Sequence, residues 1–249
     1  MIPIISISHL IVLPFLIFIG FRLYVSFREK REKNVGYFFL VFLMLIIMEG
    51  ILAIPGLVLK DPIKISTVFA LYPFFTFLSL GFAGALPFNI LKMKKTEISF
   101  LVLMFIAAIS VTVINLSNVR SPETYYRPPF VYWEDTRGET MNMFIGIFSG
   151  FILLLIIFFY IFNGLKVSEK YIRVRSFLIA GGIAGFLLAA VINFVFGTSG
   201  QEYKYIYSFI STLFLILSSI VIFLGVYKRK PKETSYPQIK EEEHPKIQW

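Results

Sequence analysis

Glu49 is the residue of this chain most able to do chemistry, because it is an acid inside a long apolar stretch. It lies about ten residues before the end of that stretch, or roughly 15 Å along a helix, which is near the middle of a bilayer. An ionisable group at that depth costs roughly 2.5–3.5 kcal/mol on insertion scales. We interpret Glu49 as a proton-titrating or ligand-binding carboxylate. The alternative is a protonated Glu49 that hydrogen-bonds to a neighbouring helix.

Tyr72 and Asn193 are the polar side chains that we expect beside Glu49. Each lies in the outer half of its own apolar stretch, and together with Glu49 they predict a small polar pocket that opens outward. Further candidates on neighbouring stretches are Thr76, Ser79 and Tyr207. His9 lies near the outer end of the first stretch, where partial exposure is enough to explain a polar side chain.

Seven apolar stretches must position these residues. The chain has 249 residues, of which 57% are hydrophobic and only 16% are charged, whereas soluble domains are about 45–50% apolar and about 25% charged. A soluble fold of this size cannot bury such an excess of apolar residues. Most of the surface of this protein must therefore face lipid. We predict an all-α polytopic membrane protein, a seven-transmembrane-helix bundle with spans Ile4–Phe27, Val35–Leu59, Ile65–Leu91, Ile98–Leu116, Met141–Leu165, Phe177–Phe196 and Tyr205–Tyr227.

The basic residues of the loops predict the orientation of the bundle. One set of loops carries fifteen Lys and Arg, and the alternate set carries six. Since cytoplasmic loops are enriched in Lys and Arg, the N-terminus is expected outside and the C-terminus in the cytoplasm of a multi-pass cell-membrane protein. The first span lacks a basic n-region and a cleavage site, so we expect it to remain as a helix. Topology accounts for the net charge of +9, and no nucleic-acid partner is predicted.

Two segments are expected to lie outside the bilayer. The outer loop Ser117–Thr140 contains β-prone aromatic runs on either side of Arg127-Pro128-Pro129. These runs indicate either an interfacial aromatic belt or a hairpin that covers the bundle. Residues 1–227 therefore form the membrane domain, and residues 228–249 form a polar cytoplasmic tail that we expect to be solvated and disordered.

Small residues mark the surfaces where the helices should pack. The sixth span contains Gly181-Gly182-Ile183-Ala184-Gly185, and the third contains Gly81 and Gly84. Lipid tails are as apolar as leucine, so membrane helices associate through small residues and polar contacts. We interpret both groups as packing seams.

Several residue types needed for catalysis are missing from the sequence. There is no Cys, and the two His residues cannot form a bis-histidine haem site within the membrane. The last span contains no Lys for a retinal Schiff base, and no Gly-rich phosphate loop occurs. We predict no enzyme activity, no cofactor and no metal.

The layout resembles the seven-helix N-terminal membrane region of some microbial histidine kinases. The resemblance rests on the basic loop Arg28-Glu29-Lys30-Arg31 before the helix of Glu49, on the aromatic outer loop, and on the basic run from Glu169 to Ser176 before a Gly-rich helix. It implies that the protein senses an external or membrane-borne cue. Because only 22 residues follow Tyr227, we expect any output to pass to a separate cytoplasmic signalling protein.

Three functions remain open from the sequence. The first is a sensor or receptor that binds a small external or membrane-borne ligand near Glu49 and relays to a cytoplasmic partner. The second is a structural subunit of a larger membrane complex, which fits the missing chemistry. The third is a small proton-coupled transporter that uses Glu49 as its proton site. In each case the lipid bilayer is itself a partner.

Overall fold

The computed structural model describes residues 2–120, 124–127, 130–133, 139–192 and 204–227. Nine helices occur within these residues: α1 (Ile4–Lys30), α2 (Lys33–Ala53), α3 (Pro55–Val58), α4 (Pro62–Phe69), α5 (Tyr72–Ile90), α6 (Lys94–Ser117), α7 (Glu139–Lys166), α8 (Lys170–Val191) and α9 (Lys204–Tyr227). The predicted cytoplasmic tail, residues 228–249, lies outside the described residues.

Proline residues explain why two of the spans are each built from two helices. Pro55 begins α3 and Pro62 begins α4, and Pro73 is the second residue of α5. Proline has no N–H to donate and its φ is fixed, so it fits the first turn of a helix and interrupts a helix that precedes it. The second span is therefore α2 followed by α3, and the third is α4 followed by α5.

Seven helices or helix pairs of the described chain are long and apolar enough to cross a membrane. They occur where the sequence predicts spans, which confirms seven helical segments of membrane-spanning length and apolar composition. The largest difference is at α8, which begins at Lys170 rather than at the predicted Phe177. Hydropathy marks where a helix enters apolar surroundings, and the basic run before Phe177 is already helical.

Six of the spans form a closed ring. In order around the ring, α1 packs on α2, α2 on α5, α5 on α7, α7 on α8, α8 on α9, and α9 on α1. Helix α6 packs mainly on the outer side of α5. The ring encloses a core of large apolar side chains, in which Leu16, Phe42 and Phe77 are fully buried.

Glycine residues bring two helix pairs into close contact, as the small-residue seams predict. A Cβ at Gly182 of α8 would lie 2.8 Å from the Ser218 carbonyl oxygen of α9. A Cβ at Gly84 of α5 would lie 2.5 Å from the Phe100 ring of α6. Gly181 has nothing within 4 Å of its Cβ position, so only part of the glycine run forms the seam.

A small sheet lies beside the start of α1, at the end of the bundle here called the N-terminal face. Strand β1 (Ile2–Pro3) pairs in parallel with β3 (Phe130–Trp133), and β3 pairs antiparallel with β2 (Thr124–Arg127). The pairing of β2 with β3 fits the hairpin, one of the two alternatives for the outer loop, and the helical prediction holds for the spans. Val131 of β3 is buried, and β3 contacts α1.

Candidate functional site

The first turns of α1 carry the polar side chains that join three helices at the N-terminal face. Ser8 Oγ lies 3.0 Å from Ser208 Oγ of α9, and Ser6 Oγ donates at 3.5 Å to the Leu52 carbonyl of α2. Both serines are buried. Because buried polar groups are favourable only when they are hydrogen-bonded, these contacts fix the position of α1 between α2 and α9.

His9 and Glu49 form the central pair of this polar group. The Nδ1 atom of His9 lies 2.6 Å from Oε2 of Glu49. The Glu49 side chain is 2% exposed, whereas that of His9 is 21% exposed. The carboxyl group is therefore enclosed, and the imidazole is the side of the pair that is open to its surroundings. We call residues His9 and Glu49 the His–Glu pair.

The sequence predicts a buried Glu49 and a partly exposed His9, but it does not pair them. His9 is the sixth residue of α1, about 8 Å along the helix from its start. The break between α2 and α3 shortens the helix that carries Glu49. The pair therefore lies near the N-terminal face of the bundle, and the depth of Glu49 in a bilayer stays a prediction.

Tyr72, a predicted pocket residue, is the first residue of α5 and is half-buried. One turn further along α5, the Thr76 Oγ1 lies 3.2 Å from the Met48 sulfur and 3.1 Å from the Tyr72 carbonyl oxygen, and its single hydrogen can be donated to either acceptor. Met48 precedes Glu49, so the Tyr72 turn of α5 meets α2 beside the His–Glu pair. Asn193, the third predicted pocket residue, lies outside the described residues.

A second buried carboxylate lies at the opposite end of the bundle, here called the C-terminal face. Glu97, in the first turn of α6, is 4% exposed. Lys33 Nζ of α2 donates to Glu97 Oε1 at 2.6 Å, and the Tyr37 hydroxyl donates to the same oxygen. Beside this group, Asn89 of α5 donates to Asn34 of α2 at 2.6 Å. We call residues Lys33, Tyr37 and Glu97 the Glu97 cluster.

Sequence reasoning missed both His9 as a partner and Glu97 as a buried acid. The available signal for Glu97 was the spacing of Lys33 and Tyr37, which are four residues apart and therefore on one face of α2. Glu97 itself follows two lysines and reads as part of a solvated charged turn. Its burial depends on how α6 packs, which the sequence does not show.

Helix α1 also meets α9 at the C-terminal face. The Tyr227 hydroxyl donates to the Arg22 carbonyl at 2.8 Å, and the Arg22 guanidinium lies 6.0 Å from the centre of the Tyr227 ring. Arg175 of α8 donates to the Gly225 and Val226 carbonyls at the end of α9. The last turn of α9 is therefore held by both α1 and α8.

The site offers a carboxyl group and an imidazole, which can exchange a proton or bind a polar ligand. No cluster of three or more metal-ligating side chains occurs in the described part of the chain. Comparison with known proteins adds no relative: no protein-family model matches this chain, and neither does any curated protein.

Proposed function

We propose that this chain is a membrane sensor that detects a proton or a small external or membrane-borne ligand at the His–Glu pair. In this proposal the N-terminus is outside the cell, and the response passes to a cytoplasmic partner at the C-terminal face. The basic loops of the sequence support that orientation.

The 2.6 Å contact between His9 and Glu49 is the observation that carries the proposal. Histidine is the side chain whose charge ordinarily changes between pH 5 and 8, and small changes in its surroundings shift that transition. A ligand with a hydrogen-bond donor or a positive charge would compete with His9 for the buried carboxyl group. Either event changes the contact that joins α1 to α2.

Helix α1 supplies the connection between the two faces. Near its start it contacts α2 through Glu49 and α9 through Ser208. Near its end its backbone accepts the hydrogen bond of Tyr227 on α9. A shift of α1 that follows a change in the His–Glu pair would therefore alter the position of the end of α9, from which the predicted cytoplasmic tail continues.

Distance measurements in nanodiscs test the proposal, with protons as the probe. The chain has no Cys, so spin labels can be placed directly on Lys30→Cys in α1 and Ser168→Cys in the turn between α7 and α8. We expect two distance populations whose ratio changes between pH 8 and pH 5. The Glu49→Gln change should abolish that response, and Glu32→Gln, at an exposed residue, should leave it intact. A response that survives in Glu49→Gln would overturn the proposal.

The same protein in liposomes with an internal pH dye separates the alternatives. A proton-coupled transporter would acidify the interior through Glu49, and such a flux would replace the sensor proposal. A structural subunit would show neither a flux nor a pH-dependent distance. We expect a distance change without proton flux.

A further inference from the structure

The C-terminal face carries two adjacent turns that the proposed sensor site does not use. The turn between α1 and α2 and the turn between α5 and α6 lie side by side, because the Asn89 side chain donates to Asn34 at 2.6 Å. The contact of Lys33 with Glu97, at 2.6 Å, joins the same two regions. Both turns are thus held together as one surface.

This surface is strongly cationic. Its exposed basic side chains are Arg28, Lys30, Arg31, Lys92, Lys94 and Lys95. Glu97, which would partly neutralise them, is buried and already accepts hydrogen bonds from Lys33 and Tyr37. The exposed acids on these turns are Glu29 and Glu32. A net positive charge therefore remains at the surface.

Two of these cations occupy a backbone conformation that side chains rarely adopt. Arg31 has φ 52° and Lys92 has φ 59°. The left-handed region is disfavoured for residues with a Cβ, and glycine or asparagine usually occupies it. Helices commonly end on a residue in this conformation, and the Arg31 N–H closes the end of α1 by donating to the Phe27 carbonyl at 2.8 Å. Here the strained residue in each turn is basic.

Large apolar side chains are exposed next to the cations. Leu91 is 56% exposed, Met93 is 45% exposed and Ile98 is 51% exposed. Leu91 and Met93 alternate with Lys92 and Lys94 in the turn between α5 and α6, and Ile98 follows in the first turns of α6. A purely electrostatic partner such as a nucleic acid would have no use for this apolar surface. A lipid matches both parts, with its headgroup on the cations and its acyl chains on the apolar side chains.

From this combination we infer that the paired turns are a binding site for anionic phospholipids of the adjoining leaflet. The headgroup phosphate lies against Arg31 and Lys92, and the acyl chains lie along Leu91 and Met93. The inference does not depend on the sensor proposal, because the site lies at the opposite face from the His–Glu pair.

Lipid selectivity of the full chain tests the inference. The probe is spin-labelled phosphatidylglycerol, compared with spin-labelled phosphatidylcholine, in phosphatidylcholine vesicles that contain the protein. We expect wild type to prefer phosphatidylglycerol. The double change Arg31→Gln and Lys92→Gln should lower that preference by at least about fivefold, which corresponds to about 1 kcal/mol for one basic residue at an anionic surface. The matched control is Lys60→Gln with Lys64→Gln, at exposed lysines of the N-terminal face, and it should retain the preference.

A second variant distinguishes a loss of lipid binding from a loss of stability. Arg31→Gly with Lys92→Gly removes both charges and also relieves the backbone strain, so its melting temperature in phosphatidylcholine nanodiscs should rise while the lipid preference falls. Equal association of the two lipids with wild type would overturn the inference, and so would equal losses in the glutamine variant and its control. Stabilisation by inorganic phosphate equal to that by phosphatidylglycerol would point to a free anion and would also overturn it.

Discussion

His9 and Glu49 show why a polar pair can persist in an apolar bundle. A buried carboxyl group without a partner loses the hydrogen bonds that water would provide, and that loss exceeds the net gain from a typical hydrogen bond. His9 supplies the partner from the adjacent helix at 2.6 Å. The pair therefore contributes to stability mainly because removal of His9 leaves the Glu49 carboxyl group buried and unsatisfied.

We predict that His9→Ala lowers the free energy of unfolding by about 1–3 kcal/mol, because Glu49 stays buried without its partner. The measurement is reversible unfolding in mixed detergent micelles, as a double-mutant cycle with Glu49→Gln. The two changes should not be additive, since they remove the same contact. Glu29→Gln, at an exposed acid, is the control and should change stability by less than about 0.5 kcal/mol. Additive effects would show that the pair is not coupled.

At the C-terminal face, we predict that the hydroxyl group of Tyr37 stabilises the fold. Tyr37→Phe keeps the ring but removes a donor to the buried Glu97 carboxylate. We expect a loss of about 1.5–3 kcal/mol in the free energy of unfolding, the range for hydrogen bonds to charged groups. Tyr24→Phe is a matched control, because Tyr24 is 39% exposed and the same hydroxyl is removed. If both variants unfold alike, the Glu97 cluster does not stabilise the bundle.

The positions of the long apolar helices were the feature of this fold that the sequence predicted best. A bilayer about 30 Å thick needs about 20 apolar residues of helix, so composition alone marks each span. The hydropathy pattern could not show that the short helix α3 follows α2, or that the short helix α4 precedes α5, since both helices of each span are apolar. Nor could it show that His9, forty residues before Glu49, contacts the Glu49 carboxyl group, because proximity between helices depends on packing and not on hydropathy.

The glycine seam between α8 and α9 leads to a prediction at the same scale. Gly182→Ala would place a methyl group 2.8 Å from the Ser218 carbonyl oxygen and 3.0 Å from the Ile222 nitrogen. Both are backbone atoms, so the helices must separate, and overpacking of this kind typically costs about 1–3 kcal/mol. Unfolding in mixed micelles should show that loss.

Gly181→Ala is the control for this seam. Its Cβ position has nothing within 4 Å, and alanine is favoured over glycine inside a helix by about 1 kcal/mol. Gly181→Ala should therefore be neutral or stabilising. If the two alanine variants unfold alike, glycine at position 182 is not needed for the approach of α9.

At the scale of the whole molecule, seven spans are an odd number, so the two ends of the membrane domain are predicted to lie on opposite sides of the membrane. The sheet, the His–Glu pair and Tyr72 lie at the N-terminal face, whereas the Glu97 cluster and the cationic turns lie at the C-terminal face. Fifteen basic residues in the sequence belong to the loops on the C-terminal side and to the first five residues of the tail, 228–232, against six on the other side. Because cytoplasmic loops retain positive charge, we predict that the C-terminal face is cytoplasmic.

Single cysteines can test this orientation without any background substitution, since the chain contains no Cys. Asn118→Cys is at an exposed position after α6 at the N-terminal face, and Ser168→Cys is at an exposed position before α8 at the C-terminal face. A membrane-impermeant maleimide added to intact cells should label Asn118→Cys and leave Ser168→Cys unlabelled until the cells are permeabilised. The reverse pattern would put the His–Glu pair on the cytoplasmic side. An external ligand could then not reach the His–Glu pair directly. That result would contradict a sensor that detects an external ligand and passes its response to the cytoplasm.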